Sequence, residues 1–180
     1  VSFDEGFKGN TYIGEFKNGQ PNGKGTYYFL ANNEFKGDKY EGEIKNGEFF
    51  GMGTYYFEAS NQFKGDKYEG EFKNSVQDGM GTYYYLADNA AKGDKYIGVY
   101  KDGSPKGWGT YFFNDGRVWE GEFNQKLELI DGKKYAKGEY NFSNTSIMKQ
   151  CPGSPIKTTY TEIPSSWHNC KGKVTSTKKS

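Results

Sequence analysis

The stretch Tyr40-Glu-Gly-Glu-Ile-Lys-Asn-Gly47, followed by Gly51-Met-Gly-Thr-Tyr-Tyr-Phe57, carries the pattern that decides the fold. In the first block, Tyr40, Gly42 and Ile44 alternate with charged residues, which is the period of a half-buried strand. The Asn-Gly pair then supplies the positive φ angles that a tight reversal needs. The second block alternates glycine and aromatic residues with the same period, so the two blocks predict one β-hairpin.

The same unit occurs four times, and its opening tyrosines recur every 28 residues, at Tyr12, Tyr40, Tyr68 and Tyr96. A fifth copy begins at Trp119, but it loses most glycines of its second block, as expected of a terminal repeat that has no outer neighbour. We therefore expect four regions: a lead-in over 1–11, the repeat array over 12–125, a degenerate capping repeat over 126–143, and an irregular tail over 144–180.

The composition favours the same architecture. Hydrophobic residues make up only 33% of the chain, aromatic residues make up 18%, and there are 26 glycines. A chain so poor in aliphatic residues buries rings against glycine backbone, because it cannot build an ordinary Leu, Val and Ile core. This disfavours helix bundles and doubly wound α/β folds, and it predicts that the inner-face glycines are steric requirements.

The motif Tyr-x-Gly-x-Phe-x-Asn-Gly-x-x-x-Gly-x-Gly-Thr-Tyr resembles the MORN repeat over roughly residues 7–123. The resemblance implies an all-β fold, an elongated single-layer antiparallel meander with one aromatic-lined face. Three of the units are five residues longer than the usual repeat. These insertions, which contain Phe35, Phe63 and Ala91, are expected to lengthen the loops at one edge of the sheet.

The aromatic face is the first candidate site, because one layer of sheet leaves few groups to cover it. Exposed aromatic rings make good interface anchors, since they offer contact area at low entropy cost. We expect at least part of this face to contact a protein segment or a second copy of the chain. The residues predicted for it are Tyr12, Phe16, Tyr40, Ile44, Tyr68, Phe72, Tyr96, Tyr100, Trp119 and Phe123.

No catalytic constellation is evident in the sequence. His168 is the only histidine, and it lies in the tail. The repeats therefore contain no histidine that could act as the base of a Ser-His or Cys-His arrangement. Together with Cys151 and Cys170 it would give a metal only three ligands without paired spacing. We expect a protein that is not an enzyme and that has no cofactor, no metal and no small-molecule substrate.

Acidic side chains also recur in columns. Asp38, Asp66 and Asp94 follow the 28-residue spacing, and each is followed by a lysine, while a parallel column of glutamates includes Glu43 and Glu71. Rows of carboxylates can hold calcium. Because lysines accompany these carboxylates, we interpret the columns as solvent-facing strips in which the lysines neutralise the acidic charge.

The tail differs in composition from the array. Residues 144–180 contain six lysines and one glutamate, with Cys151 and Cys170 on either side of an irregular segment. An even cysteine count there favours a disulfide between them, and two reduced thiols are the alternative. A disulfide slightly favours a secreted, periplasmic or cell-surface location over a cytoplasmic one.

These features favour a non-catalytic repeat scaffold that binds protein, or itself, through the aromatic face and the open sheet edges. One alternative is a membrane-apposed, phospholipid-binding module. It would depend on the basic tail, because acidic groups outnumber basic ones in the repeats. Another is a regulatory appendage of an enzyme that lies outside these residues. Nucleic acid is not expected as a partner, since glutamate and lysine alternate and no basic stripe forms.

Overall fold

The computed structural model describes residues 9–141, which form one open sheet of ten antiparallel strands in chain order. Each strand pairs with the next along the chain, and no helix occurs within this range. This confirms the predicted all-β meander of hairpins. The strands are β1 Thr11–Lys17, β2 Gln20–Tyr28, β3 Lys39–Lys45, β4 Glu48–Tyr56, β5 Lys67–Lys73, β6 Val76–Tyr84, β7 Lys95–Lys101, β8 Ser104–Phe112, β9 Val118–Phe123 and β10 Leu129–Tyr135.

Two-residue turns join the strands within each of the first four repeats, all at one edge of the sheet. In the second repeat Asn46 has φ 52° and Gly47 has φ 84°, the left-handed pair that a type I′ turn requires. The turns of the second, third and fourth repeats also contact the preceding repeat; in the second, the Gly47 amide donates a hydrogen bond to the Pro21 carbonyl at 3.0 Å. The turns therefore help to fix the spacing between repeats as well as reverse the chain.

Longer connections over 29–38, 57–66 and 85–94 join the repeats at the opposite edge, where the five-residue insertions were expected. In the first of these, the Gly37 amide donates to the Phe29 carbonyl at 2.8 Å, and Asn33 Oδ1 accepts from the Phe35 amide at 3.0 Å. The same bonds recur in the other two connections. These loops are thus folded parts of the repeat.

The aspartates at the ends of these loops are buried, so the predicted solvent-facing aspartate strips are wrong. Asp38 is only 3% exposed, and its Oδ1 accepts the amides of Glu58 and Ala59, each at 2.7 Å. Its Oδ2 accepts the hydroxyl of Tyr55 at 2.6 Å. Three donors satisfy the buried carboxylate, which explains why it does not need a lysine partner. Asp66 is held in the same way, and Asp94 accepts the Tyr111 hydroxyl and one backbone amide, that of Asn114.

Glycines form a continuous row across the middle of the sheet, and they make room for the tyrosine rings. Gly42 pairs with Gly25 on one side and with Gly53 on the other. A Cβ at Gly53 would lie 2.5 Å from Cζ of Tyr40, so the ring lies directly on this glycine. The glycines are therefore steric requirements, as predicted.

A bulge interrupts each of the first four hairpins at the positive-φ glycine, Gly51 in the second repeat, where φ is 63°. In the third repeat the side chain of Glu71 reaches the bulge, and its Oε1 accepts the Met80 amide at 3.1 Å. Glu15 does the same for the Lys24 amide at 3.0 Å. These glutamates thus accept hydrogen bonds from backbone amides that the bulge removes from strand-to-strand pairing. The sequence analysis did not predict this role.

The last repeat closes the array differently. β10 pairs with β9 through Gly132 opposite Gly121, and a turn around Asn124 joins the two strands. The proposed region boundaries at 11, 125 and 143 remain proposals. The predicted disulfide between Cys151 and Cys170, and His168, lie outside the described residues.

Candidate protein-binding face

The inner face of the sheet carries two parallel columns of aromatic side chains with different exposure. One lies over the glycine row, and we call it the buried column. The other lies nearer the loop edge, and we call it the aromatic ladder. The buried column consists of Tyr12, Tyr40, Ile44, Tyr68, Phe72, Tyr96, Tyr100 and Phe123. The aromatic ladder consists of Tyr27, Phe29, Tyr55, Phe57, Tyr83, Tyr85, Tyr111, Phe113 and Trp119.

Eight of the ten residues predicted for a partner-binding face make up the buried column. Tyr40, Tyr68 and Tyr96 are 0% exposed, so a partner cannot reach them without disturbing the fold. Of the remaining two, Phe16 lies at the β1 edge and is 46% exposed, and Trp119 is half-buried at the end of the ladder. The column is the core of the array, and the accessible rings lie beside it.

Ring packing explains how one layer of sheet buries a tyrosine completely. The Tyr40 ring lies flat on the glycine row, and its hydroxyl donates to the Glu43 carbonyl at 2.8 Å. Phe49 stacks on it at a centroid distance of 3.8 Å, and Phe72 of the next repeat meets it edge-on at 5.0 Å. Phe49 of the same repeat and Phe72 of the next repeat together therefore supply the cover that a second layer would give.

The aromatic ladder is an unbroken series of ring contacts from Tyr27 to Trp119. Successive centroids are between 4.6 Å and 5.7 Å apart, alternating within and between repeats. Apart from Tyr27, its members are half-buried, because they lie beyond the glycine row and rest on one another. The ladder crosses all four complete repeats and presents ring surface to solvent along its length.

Hydrogen bonds hold the ladder tyrosines in place. The hydroxyls of Tyr55, Tyr83 and Tyr111 donate to the buried aspartates at 2.6, 2.8 and 2.7 Å. Burial, together with the neighbouring aspartate, raises the pKa of each of these tyrosines above its ordinary value. The ladder is therefore uncharged around neutral pH, and its rings are fixed before any partner arrives.

Apolar side chains of the loop edge extend the ladder. Phe35 and Phe63 are 45% and 44% exposed, and each lies beside a ladder ring, at 6.0 Å from Phe29 and 6.3 Å from Phe57. Most residues that the sequence analysis predicted for a partner-binding face lie one column away from this strip. The second-block aromatic residues and the phenylalanine in two of the three insertions were the available signals.

The outer face has a different character. Lys39 forms an ion pair with Glu41 at 2.9 Å and lies over the ring of Tyr56 at 4.1 Å, and the next repeat shows the same arrangement at Lys67. Within residues 9–141, no cluster of three His, Cys, Asp or Glu side chains could hold a metal ion. The same range contains no helix long and apolar enough to cross a membrane.

The sheet of the described residues ends at strand β1 on one side and at strand β10 on the other. In the described part of the chain, nothing pairs with the outer side of β1 or of β10. All of β1 except Tyr12 is exposed, including Ile13 at 63%. Each edge can accept another strand.

Comparison with known families agrees with this architecture. The MORN repeat family matches residues 12–29, 40–61 and 68–85, which correspond to the first three hairpins. A search of curated proteins found no match to the chain. The fourth hairpin, β7 and β8, has the same register and the same glycine pair, Gly98 opposite Gly109. The chain is therefore a MORN-repeat protein.

Proposed function

We propose that this protein is a non-catalytic repeat scaffold that binds an extended protein segment along the aromatic ladder. The observation that carries the proposal is the continuity of the ladder, whose fixed and half-exposed rings cross four repeats without a break. Rings held in advance lose little conformational entropy on binding, and aromatic residues dominate the binding energy of protein interfaces.

The surroundings of the ladder favour a protein partner over a charged surface. Exposed Leu30, Phe35, Phe63 and Leu86 widen it at the loop edge into an apolar strip. Monomeric proteins rarely leave such strips unused. On the outer face Lys39 and Lys67 form ion pairs with Glu41 and Glu69, which makes these lysines less available to anionic lipid.

The free edges of β1 and β10 support a second form of the same function, in which copies of the chain associate. Backbone hydrogen bonding across an edge would continue the sheet, and Phe16, at the β1 edge, would gain apolar cover. Sedimentation of the intact chain over a range of concentrations tests this form. A monomer mass at every concentration would eliminate self-association and leave the ladder to a different protein.

Selection of peptides from a random phage-displayed library tests the ladder directly. We expect enriched peptides to lose at least about tenfold in affinity for Phe57→Ala and for Tyr85→Ala, since each removes a central anchor. The matched controls are Tyr56→Ala and Tyr84→Ala, which change the neighbouring residue on the opposite face. Affinity that falls equally in both pairs of variants, or a selection that enriches no peptide, would refute the proposal.

Flotation with anionic phospholipid vesicles tests the membrane alternative. We expect the intact chain to stay with the unbound fraction, and a variant that lacks residues 144–180 to behave identically. Binding that disappears with those residues would mean that the tail, rather than the ladder, directs the protein to its target.

A further inference from the structure

The fourth repeat differs from the third on the outer face of the sheet, and the differences remove acidic groups. The strand positions that hold Glu69 and Glu71 in the third repeat hold Ile97 and Val99 in the fourth. The second strand of the hairpin changes in the same direction, because Lys106 stands where the third repeat has an aspartate. All three substitutions make the outer face of the fourth repeat less negative.

These substitutions reverse the net charge of the hairpin. The β5–β6 hairpin over 67–84 carries two lysines, two glutamates and one aspartate, a net charge of −1. The β7–β8 hairpin over 95–112 carries three lysines and one aspartate, a net charge of +2. Of these lysines, Lys101 is paired with Asp78 of the third repeat at 2.6 Å. Within residues 9–141, Lys95 and Lys106 form no ion pair.

The centre of this basic surface is apolar. Met80 lies directly opposite Val99 across the β6–β7 pair, and Trp108, 39% exposed, lies on the adjoining strand β8. We call Met80, Ile97, Val99 and Trp108 the outer patch. A partly exposed tryptophan is the residue type that most often anchors a protein interface. The outer patch and the aromatic ladder lie on opposite faces of the sheet.

The third repeat shows which group would complement Lys95. There Lys67 lies 2.6 Å from Glu69 and 4.5 Å from the centre of the Tyr84 ring, and the Tyr84 hydroxyl donates to the same carboxylate at 3.1 Å. Lys95 keeps only the ring contact, at 5.0 Å from the centre of Phe112. Burial lowers the pKa of Lys95, because its charge is poorly hydrated there. A carboxylate from a partner would stabilise that charge.

We propose that the outer patch is a second docking surface, for a protein segment that carries an acidic side chain next to large apolar side chains. The acidic side chain would pair with Lys95 as Glu69 pairs with Lys67, and the apolar side chains would pack on Trp108. Lys106 adds a second positive charge that attracts such a segment. Because the two surfaces lie on opposite faces, loss of one would leave binding at the other intact.

Acidic residues of β9 limit the surface on one side and favour a peptide over a polyanion. Glu122 lies opposite Trp108 and is exposed, and the buried Glu120 accepts the Tyr135 hydroxyl at 3.2 Å. A nucleic acid or an anionic lipid surface would bring many negative charges against these glutamates at once. A peptide can direct one carboxylate to Lys95 and place apolar side chains elsewhere.

Return of the outer patch to the sequence of the third repeat tests the proposal. Ile97→Glu with Val99→Glu gives Lys95 an intramolecular carboxylate and removes the apolar centre. Trp108→Met introduces the residue that the second and third repeats have at this position. Ile13→Glu is the matched control, because Ile13 is exposed at the position of the first repeat that corresponds to Ile97. Each substitution uses a residue that another repeat accommodates.

Differential selection from a phage-displayed library of random peptides gives the measurement. Depletion on the double variant removes peptides that bind elsewhere, including the ladder, and selection then uses the native full chain. We expect enriched peptides to contain Asp or Glu beside aromatic or aliphatic residues. They should bind the double variant and Trp108→Met at least about tenfold more weakly than the native chain, and bind Ile13→Glu equally well. Replacement of the peptide's acidic residue by its amide should weaken binding at least about fivefold.

Four outcomes would overturn the proposal. The first two are a selection that enriches no peptide and enriched peptides without an acidic residue. The third is concentration-dependent sedimentation of the native chain that the double variant lacks, because the occupant would then be a second copy. The fourth is flotation with anionic phospholipid vesicles that is lost in the double variant, which would assign the outer patch to lipid headgroups.

Discussion

The most direct test of the fold is the replacement of Gly53 by alanine. Gly53 lies in the glycine row beneath Tyr40, and an added Cβ would come within 2.5 Å of Tyr40 Cζ. Ordinary contacts of a Cβ begin near 3.4 Å. The ring would have to move by roughly 1 Å, which is difficult because Phe49 is stacked on its other side at 3.8 Å.

The expected loss of stability follows from three contributions. Overpacking of a filled core costs about 1–3 kcal/mol. Displacement of the ring also strains the 2.8 Å bond from the Tyr40 hydroxyl to the Glu43 carbonyl, worth about 1 kcal/mol. Alanine restricts the unfolded chain and returns about 0.4–1 kcal/mol. We therefore expect Gly53→Ala to lower the free energy of unfolding by about 2–3 kcal/mol.

Urea unfolding followed by circular dichroism measures this change through the transition midpoint. Lys45→Ala serves as the control, because Lys45 is exposed on the outer face, and we expect it to change stability by less than about 0.5 kcal/mol. In a Tyr40→Leu background, Gly53→Ala should cost much less, since the ring that it displaces is absent. Additive losses in the double variant would refute the steric role of the glycine.

Three further predictions concern buried polar groups. Asp66→Asn should lower the free energy of unfolding by less than about 1 kcal/mol, because Asn10 fills the equivalent position in the first repeat. Asp66→Ala should lower it by about 3 kcal/mol, because three donors lose their acceptor. Thermal unfolding distinguishes the two variants. Tyr96→Phe should leave stability unchanged or raised, since among the described residues the Tyr96 hydroxyl has no hydrogen-bond partner. Tyr68→Phe should lower stability by about 1 kcal/mol, because it removes the 3.2 Å hydrogen bond to the Glu71 carbonyl. Burial raises the pKa of Tyr68 and Tyr96 in the folded chain, so the tyrosines of the unfolded chain ionise first as pH rises. The stability that these residues provide should therefore be lost above about pH 10. Urea midpoints should fall between pH 8 and pH 11, and constant midpoints would contradict this.

The strand order and the register were predictable because local signals and long-range spacing agree. The Asn-Gly pair at Asn46 requires a tight turn, and the 28-residue repeat fixes which strand follows it. The role of Asp38 was not predictable from its neighbours, because the amides it binds lie 20 and 21 residues further along the chain. Asn10 held the missing signal: asparagine keeps the acceptor oxygen of aspartate without its charge, which indicates a hydrogen-bonding role.

Most residues predicted for a partner-binding face are buried in the structure, and the more accessible rings lie in the neighbouring column of the same face. Alternation shows that Tyr40 and Tyr55 share the inner face, yet it does not show which of them the next repeat covers. The burial of a ring depends on its position. A ring over the glycine row lies flat and is covered by other rings, whereas the rings near the loops contact only one another. Coverage is a property of repeat stacking, so a period-2 pattern within one repeat cannot reveal it.

Among the four complete repeats, the fourth has two departures that are physically related. Replacement of the bulge glutamate by Val99 removes the side chain that serves the bulge amide in the first and third repeats, and the Tyr96 hydroxyl beneath it loses the carbonyl bond that the other three repeats keep. Each change, taken alone, lowers the stability of the fourth repeat. In a linear array such losses are local, so they persist where the altered surface gains another contact. The same substitutions leave apolar side chains, Ile97 and Val99 beside Met80 and Trp108, on the outer face of the sheet, near the place where Tyr140 packs against Phe112.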